Sequence, residues 1–310
     1  MNRRAPWIAL ILLAPGSAHA TYSIAAVDTA ARQVGGAGTS CIAPFSVAII
    51  YGSAPGHGVV HAQALLNTLA RDEATSRLEL DEAPADIIAA ITSPSFDADA
   101  SQRQYGIVDL MGRSAGFTGA DTMPYAEEGA IDTFVYSVQG NILTGVAVID
   151  QAEEAFAKGC DLGDRLMRAL EAGADNAEGD SRCTPSGIPS DAAFLAVDRE
   201  GEGSGDYLFL QVADTAPESP VVLLRQAYDA WRDEHPCPEP PTEPAPDLGP
   251  SDGGATEPPG DDTGGCGCRL ARPAPRDALA ASLLVLAGLA ILQLGTRRSY
   301  SPRLRGRGRP

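Results

Sequence analysis

Basic residues are scarce over most of this chain of 310 residues. Between residues 21 and 268 there are only 12 Lys and Arg against 40 Asp and Glu, so this segment carries a formal net charge near −28. Proteins that bind nucleic acids need the opposite charge, because they must contact phosphates. The composition therefore excludes nucleic acid as a partner and suits an acidic surface that faces solvent outside the cell.

The chain also lacks any pair of cysteines separated by two residues, the spacing that zinc sites and redox centres use. Four cysteines precede the C-terminal region, and an even number in an exported protein indicates structural disulfides. Four cysteines allow three connectivities, and the sequence does not choose among them. We expect neither a metal nor another cofactor. The disulfide candidates are Cys41, Cys160, Cys183 and Cys237.

The first 20 residues have the three parts of a secretory signal peptide. Two arginines give a positive start, residues 7–14 form a short apolar run, and residues 18–20 include the small residues that signal peptidase accepts. A retained anchor is the alternative, but the run is shorter than the roughly 20 residues that a transmembrane helix needs. We predict that signal peptidase cleaves after Ala20, so that Thr21 becomes the first residue of an exported protein.

A second membrane signal lies near the other end of the chain. Residues 278–296 contain no charged residue and are just long enough to cross a bilayer. Arginines follow at once, which predicts a cytoplasmic C-terminus. With the preceding glycine-flanked Cys266 and Cys268, this region resembles the MYXO-CTERM sorting tail of myxobacteria. The resemblance implies cleavage by a sorting protease and display at the cell surface, and a plain membrane anchor is the alternative.

Composition divides the chain into four parts. Residues 1–20 form the signal peptide, and residues 21–235 have the length of one domain. Residues 236–265 are rich in Pro, Asp, Glu and Gly and contain no aromatic residue, so we expect a disordered linker. Residues 266–310 contain the cysteine motif, the apolar segment and an arginine-rich tail.

Within the domain, strand and helix signals occur in runs and do not alternate strictly, which favours an α+β fold over a parallel α/β sheet. Alternating small and β-branched residues mark the strands, and apolar residues three and four positions apart mark the helices. The predicted strands are 22–28, 34–40, 45–51, 58–63, 104–109, 113–118, 133–139, 192–198 and 207–212. The predicted helices are 64–73, 85–91, 149–158, 162–172 and 220–233.

An N-terminal threonine can act as a nucleophile without a separate histidine. Its hydroxyl is weak by itself, but its own α-amino group can serve as the base. An α-amine has a pKa of about 7.7–8.0, so roughly a tenth of it is neutral at neutral pH. Removal of the signal peptide would then create the catalytic group on Thr21.

The run 21–28, Thr-Tyr-Ser-Ile-Ala-Ala-Val-Asp, resembles the opening of the bacterial family known as domain of unknown function 1028. That family is grouped with the N-terminal-nucleophile (Ntn) hydrolases. The resemblance implies an αββα sandwich, in which two antiparallel sheets lie between helical layers, and places Thr21 at the nucleophile position. Further segments that match the family pattern follow in the same order along the chain: 58–63, Asn67, 103–104, 117–119, 138–143, 169–173 and 179–182.

This sequence departs from the family pattern at several positions. His57 and His61 stand where small residues are expected, Cys183 follows Arg182 where Gly-Gln is common, and Cys41 ends the second strand. The cysteines fit an exported branch of the family. The two histidines fit substrate contacts or metal ligands, but two histidines alone do not make a metal site, and surface or core roles are commoner.

The catalytic candidates are Thr21, Asn141, Asp180 and Arg182. Asn141 follows a predicted strand and is a candidate oxyanion donor, or else a turn residue beside Gly140. Asp180 and Arg182 are candidates for an ion pair that orients the threonine amine or a substrate carboxylate, or else holds a glycine-rich loop. The candidate substrate-binding residues are His61, Gln63 and Arg103.

The leading hypothesis is a surface-anchored hydrolase outside the cytoplasm that cleaves an amide bond in a small molecule or peptide. The first alternative is a non-catalytic module on the same fold that binds cell-wall or extracellular material. A structural coat protein is a third reading, suggested by the linker and the acidity. The sequence does not name the substrate or the oligomeric state.

Overall fold

The computed structural model describes residues 21–175 and 178–238. The predicted signal peptide, the linker beyond residue 238, Cys266, Cys268 and the apolar segment 278–296 lie outside these residues. Within the described part of the chain, no helix is both long enough and apolar enough to span a membrane.

Two antiparallel sheets form the centre of the domain, and five helices accompany them, so the predicted α+β class is confirmed. The six-stranded sheet has the order β10-β9-β2-β1-β8-β7, and the four-stranded sheet has the order β3-β4-β5-β6. The strands are β1 Thr21–Asp28, β2 Gln33–Ser40, β3 Tyr51–Ala54, β4 Gly58–Ala64, β5 Arg103–Asp109, β6 Ser114–Thr118, β7 Pro124–Ile131, β8 Phe134–Asn141, β9 Ala192–Arg199 and β10 Leu208–Ala213.

Helices cover the outer face of each sheet. One apolar cluster joins the six-stranded sheet to α3, α4 and α5, and another joins the four-stranded sheet to α1 and α2. A third cluster fills the space between the two sheets. The order of layers is therefore helix, sheet, sheet, helix. The helices are α1 Thr68–Leu78, α2 Pro84–Ile91, α3 Ala147–Phe156, α4 Leu162–Gly173 and α5 Pro220–Glu234.

Four local predictions were wrong. Most of the strand expected at 45–51 is a short 3-10 helix, Val47–Ile50, because Ser46 caps it by accepting a hydrogen bond from the Ala48 amide. The helix expected from residue 64 begins at Thr68, because the Asn67 side chain caps it through the Ala70 amide. Strand β7 was missed, since its two consecutive glutamates interrupt the apolar alternation. Strand β3 was also missed, because it is only four residues long.

Strand β1 lies in the middle of the six-stranded sheet, between β2 and β8, and all of its residues are buried. Its side chains alternate between the two faces. Tyr22 and Ile24 belong to the cluster beneath the helices, whereas Ala25 and Val27 belong to the cluster between the sheets. Thr21 lies on the same face of β1 as Ala25 and Val27, so its side chain points into the layer between the sheets.

Two disulfides resolve the three connectivities that the sequence left open. Cys41 is bonded to Cys183, and Cys160 is bonded to Cys237. The first joins the residue after β2 to the loop before β9. The second joins the loop before α4 to the segment after α5.

Candidate active site

Thr21 begins the central strand and lies between the ends of its two neighbours. It stands opposite Ser40 of β2 on one side and opposite Asn141 of β8 on the other. Its side chain is 3% exposed, and its Oγ1 donates a hydrogen bond of 3.1 Å to Ser40 Oγ. Directly opposed residues of an antiparallel pair have Cβ atoms about 5 Å apart. Thr21, Ser40 and Asn141 therefore form one row across the edge of the sheet.

Two clefts meet at this end of the layer between the sheets, and Ala64 of β4 lines both of them. The first, here called the apolar cleft, has a volume of about 130 Å³ and is lined by Thr21 and Gln63. The remaining wall of the apolar cleft consists of Ile42, Phe45, Val47, Ile49, Ile50 and Leu66.

The second cleft, here called the polar cleft, has a volume of about 150 Å³ and is lined by Asn141. Strands β2 and β8 flank β1 on opposite sides. The apolar cleft lies on the β2 side of Thr21, because Ile42 follows β2, and the polar cleft lies on the β8 side, because Asn141 ends β8. The remaining wall of the polar cleft consists of Leu65, Gln102, Asp121, Thr122, Met123 and Ile142.

Behind the clefts, buried amide side chains form a continuous chain of hydrogen bonds, here called the glutamine network. Ser23 Oγ donates to Gln63 Oε1 (2.7 Å), and Gln63 Nε2 donates to Gln104 Oε1 (2.8 Å). Asn141 Nδ2 donates to the same Gln104 oxygen (3.1 Å). Gln104 Nε2 donates in turn to the Gly140 carbonyl (3.0 Å). These bonds fix the orientation of Gln63 and Asn141, which line the two clefts.

One polar atom of Asn141 takes no part in this network. Its Oδ1 is buried and has no hydrogen-bond partner among the described residues. Burying a carbonyl oxygen without a partner costs about 1–3 kcal/mol, so such atoms are uncommon in folded proteins. The Asn141 side chain thus combines a fixed donor with an unsatisfied acceptor at the wall of the polar cleft.

The backbone at the two clefts is held in an unusual conformation. Ala64 follows Gln63 and has φ 66°, and Ile142 follows Asn141 and has φ 55°. Left-handed backbone is disfavoured for residues with a Cβ and especially for β-branched residues such as isoleucine. Such residues cluster at active sites and ligand clamps. These two are among six non-glycine residues with positive φ in the described part of the chain, and both lie at the end of the molecule that carries Thr21.

Asp180 and Arg182 form the predicted ion pair, and this pair ties together the strand ends beside Thr21. The Asp180 carboxylate accepts from Arg182 through both oxygens, at 2.7 and 3.0 Å, and also from the Cys41 amide (2.8 Å). The next residue, Ser181, donates its hydroxyl to the Ile142 carbonyl (2.7 Å). The loop thus bridges the end of β2 and the end of β8.

Arg103 holds the loop that connects β4 to α1. It pairs with Asp97 (2.8 Å) and donates to the Leu65 carbonyl, one residue after Ala64. Although burial raises the pKa of the Asp97 carboxyl, hydrogen bonds from Arg103, from the Asn67 side chain and from the backbone outweigh burial, and this pKa lies below its usual value. Arg103 thus holds the backbone at Leu65, which lines the polar cleft.

His61 lies inside the core. Its ring is within 6 Å of the rings of Tyr51 (5.8 Å) and Phe194 (5.7 Å), and neither ring nitrogen has a partner among the described residues. Burial lowers the pKa of His61 to about 3, so the ring is neutral near neutral pH. Gly36 provides the space, because a Cβ there would lie 2.2 Å from His61 Nε2. His57 lies elsewhere, paired with Asp81 on the surface.

The structure adds residues that the sequence did not single out for the site. Ser40 accepts the Thr21 hydroxyl, Gln104 joins the two sheets, and Ala64 separates the two clefts. Gln104 carried a local signal, because it lies in a predicted strand and a buried glutamine needs a hydrogen-bond partner. Ser40 and Ala64 carried none, since their roles arise from contacts between distant segments.

Two groups of cysteine and carboxylate lie close together in the described part of the chain, Cys41–Cys183 with Asp191 and Cys160–Cys237 with Asp164. In each group the two sulfurs are bonded to each other. A thiolate is the form of cysteine that binds metals. These groups are therefore disulfides with a neighbouring carboxylate.

Comparison with known proteins agrees with this fold. The chain is similar to the crystal structure of protein SPO2555 from Silicibacter pomeroyi, a protein assigned to the family DUF1028. The match has a TM-score of 0.56 and 24% sequence identity, and it covers 69% of this chain and 89% of that chain. This likeness shows the fold alone. No curated protein matches the chain. The family described as "Family of unknown function (DUF1028)" matches residues 21–223, and the chain therefore belongs to the DUF1028 family.

Proposed function

We propose that this protein is an N-terminal-nucleophile hydrolase that cleaves an amide bond outside the cytoplasm, with Thr21 as its nucleophile. One observation carries the proposal: the Thr21 hydroxyl lies at the strand end where the apolar and polar clefts meet, in one row with Asn141. A substrate that occupied both clefts would place its central bond beside that hydroxyl. The layered order of helices and sheets supports an Ntn-type αββα sandwich.

The α-amino group of Thr21 acts as the base once cleavage after Ala20 frees it. Thr21 Oγ attacks the amide carbonyl carbon and passes its proton to the amine. The C–N bond then breaks as that proton moves to the leaving nitrogen, and an ester to Thr21 remains. Water, deprotonated by the same amine, cleaves the ester and restores the hydroxyl. Ser40 orients the Thr21 hydroxyl before the attack.

Asn141 is the oxyanion donor in this mechanism. A side-chain amide has two N–H groups, and Asn141 uses one of them for Gln104. The other donates to the carbonyl oxygen as it becomes negative. A donor held in advance by a hydrogen-bond network needs no reorganisation during the reaction, and removal of one such donor costs about 10²–10³ in rate. Asp180 and Arg182 are positioning residues, since they hold the strand ends.

Export belongs to the same proposal. Signal peptidase would create the free threonine amine, residues 278–296 would hold the protein in the membrane, and a sorting protease would act near Cys266 and Cys268. Two disulfides in the domain support an oxidising compartment. The protein would then meet its substrate at the cell surface or in the outer envelope.

The test begins with N-terminal sequencing of the mature protein, for which we expect Thr21 as the first residue. The mature protein is then treated with an electrophilic threonine probe and a panel of amides. We expect Thr21→Ala to abolish labelling and to lower turnover by about a thousandfold or more, as removal of a nucleophile does. Thr21→Ser should retain both signals, because serine has the same hydroxyl and amine.

Thr29→Ala is the matched control, because Thr29 follows the opposite end of β1 and its hydroxyl donates to the Thr133 carbonyl, away from both clefts. We expect wild-type labelling and turnover from it. A mature chain that begins at another residue would place the amine wrongly and end the enzyme proposal. Equal turnover by wild type and Thr21→Ala would overturn Thr21 as the nucleophile, and the absence of turnover and labelling in both would leave a binding module as the better reading.

A further inference from the structure

The two clefts beside Thr21 differ in chemistry, and this difference identifies the substrate. We propose that the substrate is an amide whose acyl side is an unsubstituted apolar group of about six carbons, bound in the apolar cleft. Its amine side is polar and lies in the polar cleft. This inference rests on the proposed role of Thr21 and adds the substrate class.

The wall of the apolar cleft determines the character of the acyl group. Apart from Thr21 and Gln63, only aliphatic and aromatic side chains line it, and none of its side chains is charged. The polar atoms of Gln63 already bond to Ser23 and Gln104. A positively charged or strongly polar neutral acyl group would therefore lose its hydration in this cleft without gaining a side-chain partner, which is unfavourable.

The volume of the apolar cleft determines the size of the group. It measures about 130 Å³. An apolar protein cavity of about 150 Å³ binds benzene, so this cleft accommodates a group of about six carbons. Phe45 is 69% exposed and Ile49 is 43% exposed at the same cleft. A bound acyl group would cover part of this exposed apolar surface.

The polar cleft gives the direction of binding. Four of its eight lining residues are apolar, and the others include Gln102, Thr122 and the carboxylate of Asp121, which accepts a hydrogen bond from Ser101 (2.6 Å). These groups suit a leaving amine that carries hydroxyl, amide or ammonium groups. The acyl group remains bonded to Thr21 after the C–N bond breaks, while the amine leaves through the polar cleft.

The decisive experiment measures binding separately from catalysis. The mature Thr21→Ala protein cannot form the ester but keeps the apolar side chains of the cleft. Its dissociation constants are measured by calorimetry for amides of ethanolamine with acetyl, butyryl, hexanoyl and decanoyl groups. Each buried methylene strengthens binding about fourfold, so we expect hexanoyl to bind about two hundredfold more tightly than acetyl. Beyond hexanoyl the gain per methylene should fall.

A matched pair of ligands separates lipid-like from peptide-like acyl groups. Isocaproyl and leucyl amides have the same carbon skeleton, but leucyl adds an α-ammonium group. No carboxylate lines the apolar cleft, so we expect isocaproyl to bind at least about tenfold more tightly. Leucyl binding that equals or exceeds isocaproyl binding would overturn the assignment of an unsubstituted acyl group.

Ile49→Asp, made in the Thr21→Ala protein, places a charge at the rim of the apolar cleft. We expect the ratio of hexanoyl to acetyl affinity to fall by about tenfold or more. Leu69→Asp is the matched control, because Leu69 is 75% exposed and does not line the cleft, and its ratio should not change.

The outcomes for the substrate and for catalysis are distinguishable. Affinity that does not depend on chain length overturns the acyl assignment, even if the wild-type protein hydrolyses amides. Affinity that rises with chain length, without turnover by the wild type, supports the apolar cleft as an acyl-binding site and overturns Thr21 as a nucleophile.

Discussion

The two ends of the layer between the sheets are built on the same strands but have opposite composition. Both ends are buried and both follow the same alternation along β1, β4, β5 and β8. The end at Thr21 carries hydroxyls and side-chain amides, namely Thr21, Ser23, Gln63, Gln104 and Asn141. The other end carries mainly valines, namely Val27, Val34, Val59, Val108 and Val135, and its buried carboxylate, Asp198, is satisfied by the Tyr51 hydroxyl.

This difference indicates that the valine end stabilises the fold and that the end at Thr21 has another role. Buried valines contribute burial of apolar surface without a need for partners. Buried amides must each find a hydrogen bond, and a network with one unsatisfied atom is less stable than an apolar core. Asn141 Oδ1 is such an atom. Because the polar end lowers the stability of the fold, its presence supports a chemical role for the residues around Thr21.

The largest expected effect comes from removing the centre of the glutamine network with Gln104→Leu. Gln63 and Asn141 would lose their common acceptor, and the Gly140 carbonyl would lose a donor. Each buried group left without a partner costs about 1–3 kcal/mol. Because these groups share one network, the losses do not add fully. We expect the free energy of unfolding to fall by about 4 kcal/mol, measured by urea denaturation.

Gln102→Leu is the control for this change. Gln102 is the same residue type two positions away, but its side chain is exposed. Exposed substitutions usually change stability by less than about 0.5 kcal/mol. A similar loss from both variants would mean that the glutamine network contributes nothing specific to the polar end.

Much of the fold could be predicted from the sequence, because its signals are local. The alternation of apolar residues located β1, β2, β4, β5, β8 and β9 to within a few residues. At 45–51 the alternation favoured a strand, but the Ser46 cap stabilised a 3-10 helix instead. The pairing of the cysteines depends on where α4, α5 and the loops pack, and no local pattern contains that information.

The site could be predicted only in part. The family-like run that begins at Thr21 identified the strand end, and Asn141 proved to be the partner of Thr21 in register. The two clefts could not be predicted, since Ala64 and Ile42 approach Thr21 from segments far away in the chain. His61 and Gln63 stand on the same face of β4, and the sequence could not tell that only Gln63 lines a cleft.

The second prediction concerns His61, which lies between the polar and apolar ends and lowers stability in acid. Burial lowers its folded pKa to about 3, whereas an unfolded histidine has a pKa of about 6.5. The unfolded chain therefore binds a proton first as the pH falls. His61 has no effect on the pH dependence above about pH 6.5 and destabilises the fold progressively between there and about pH 3.

We expect His61 to account for a loss of roughly 2–3 kcal/mol between about pH 7.5 and about pH 4.5. The measurement compares urea denaturation of wild type and His61→Leu at both pH values. The variant removes the titration while keeping an apolar side chain over Gly36. Other titrating groups affect both proteins, so the difference between them isolates His61. Equal losses in both proteins would contradict a neutral, buried ring.

The smallest expected effect tests the apolar end with Val27→Thr, which replaces a methyl group by a hydroxyl of similar size. Val27 is fully buried among apolar side chains, so the hydroxyl would find no side-chain partner. We expect a loss of about 2 kcal/mol in the free energy of unfolding. Val222→Thr on α5 is the control, because Val222 is 55% exposed and should change stability by less than about 0.5 kcal/mol. A negligible loss from Val27→Thr would show that water reaches both ends of the layer, and the contrast between them would then no longer support a special role for the Thr21 end.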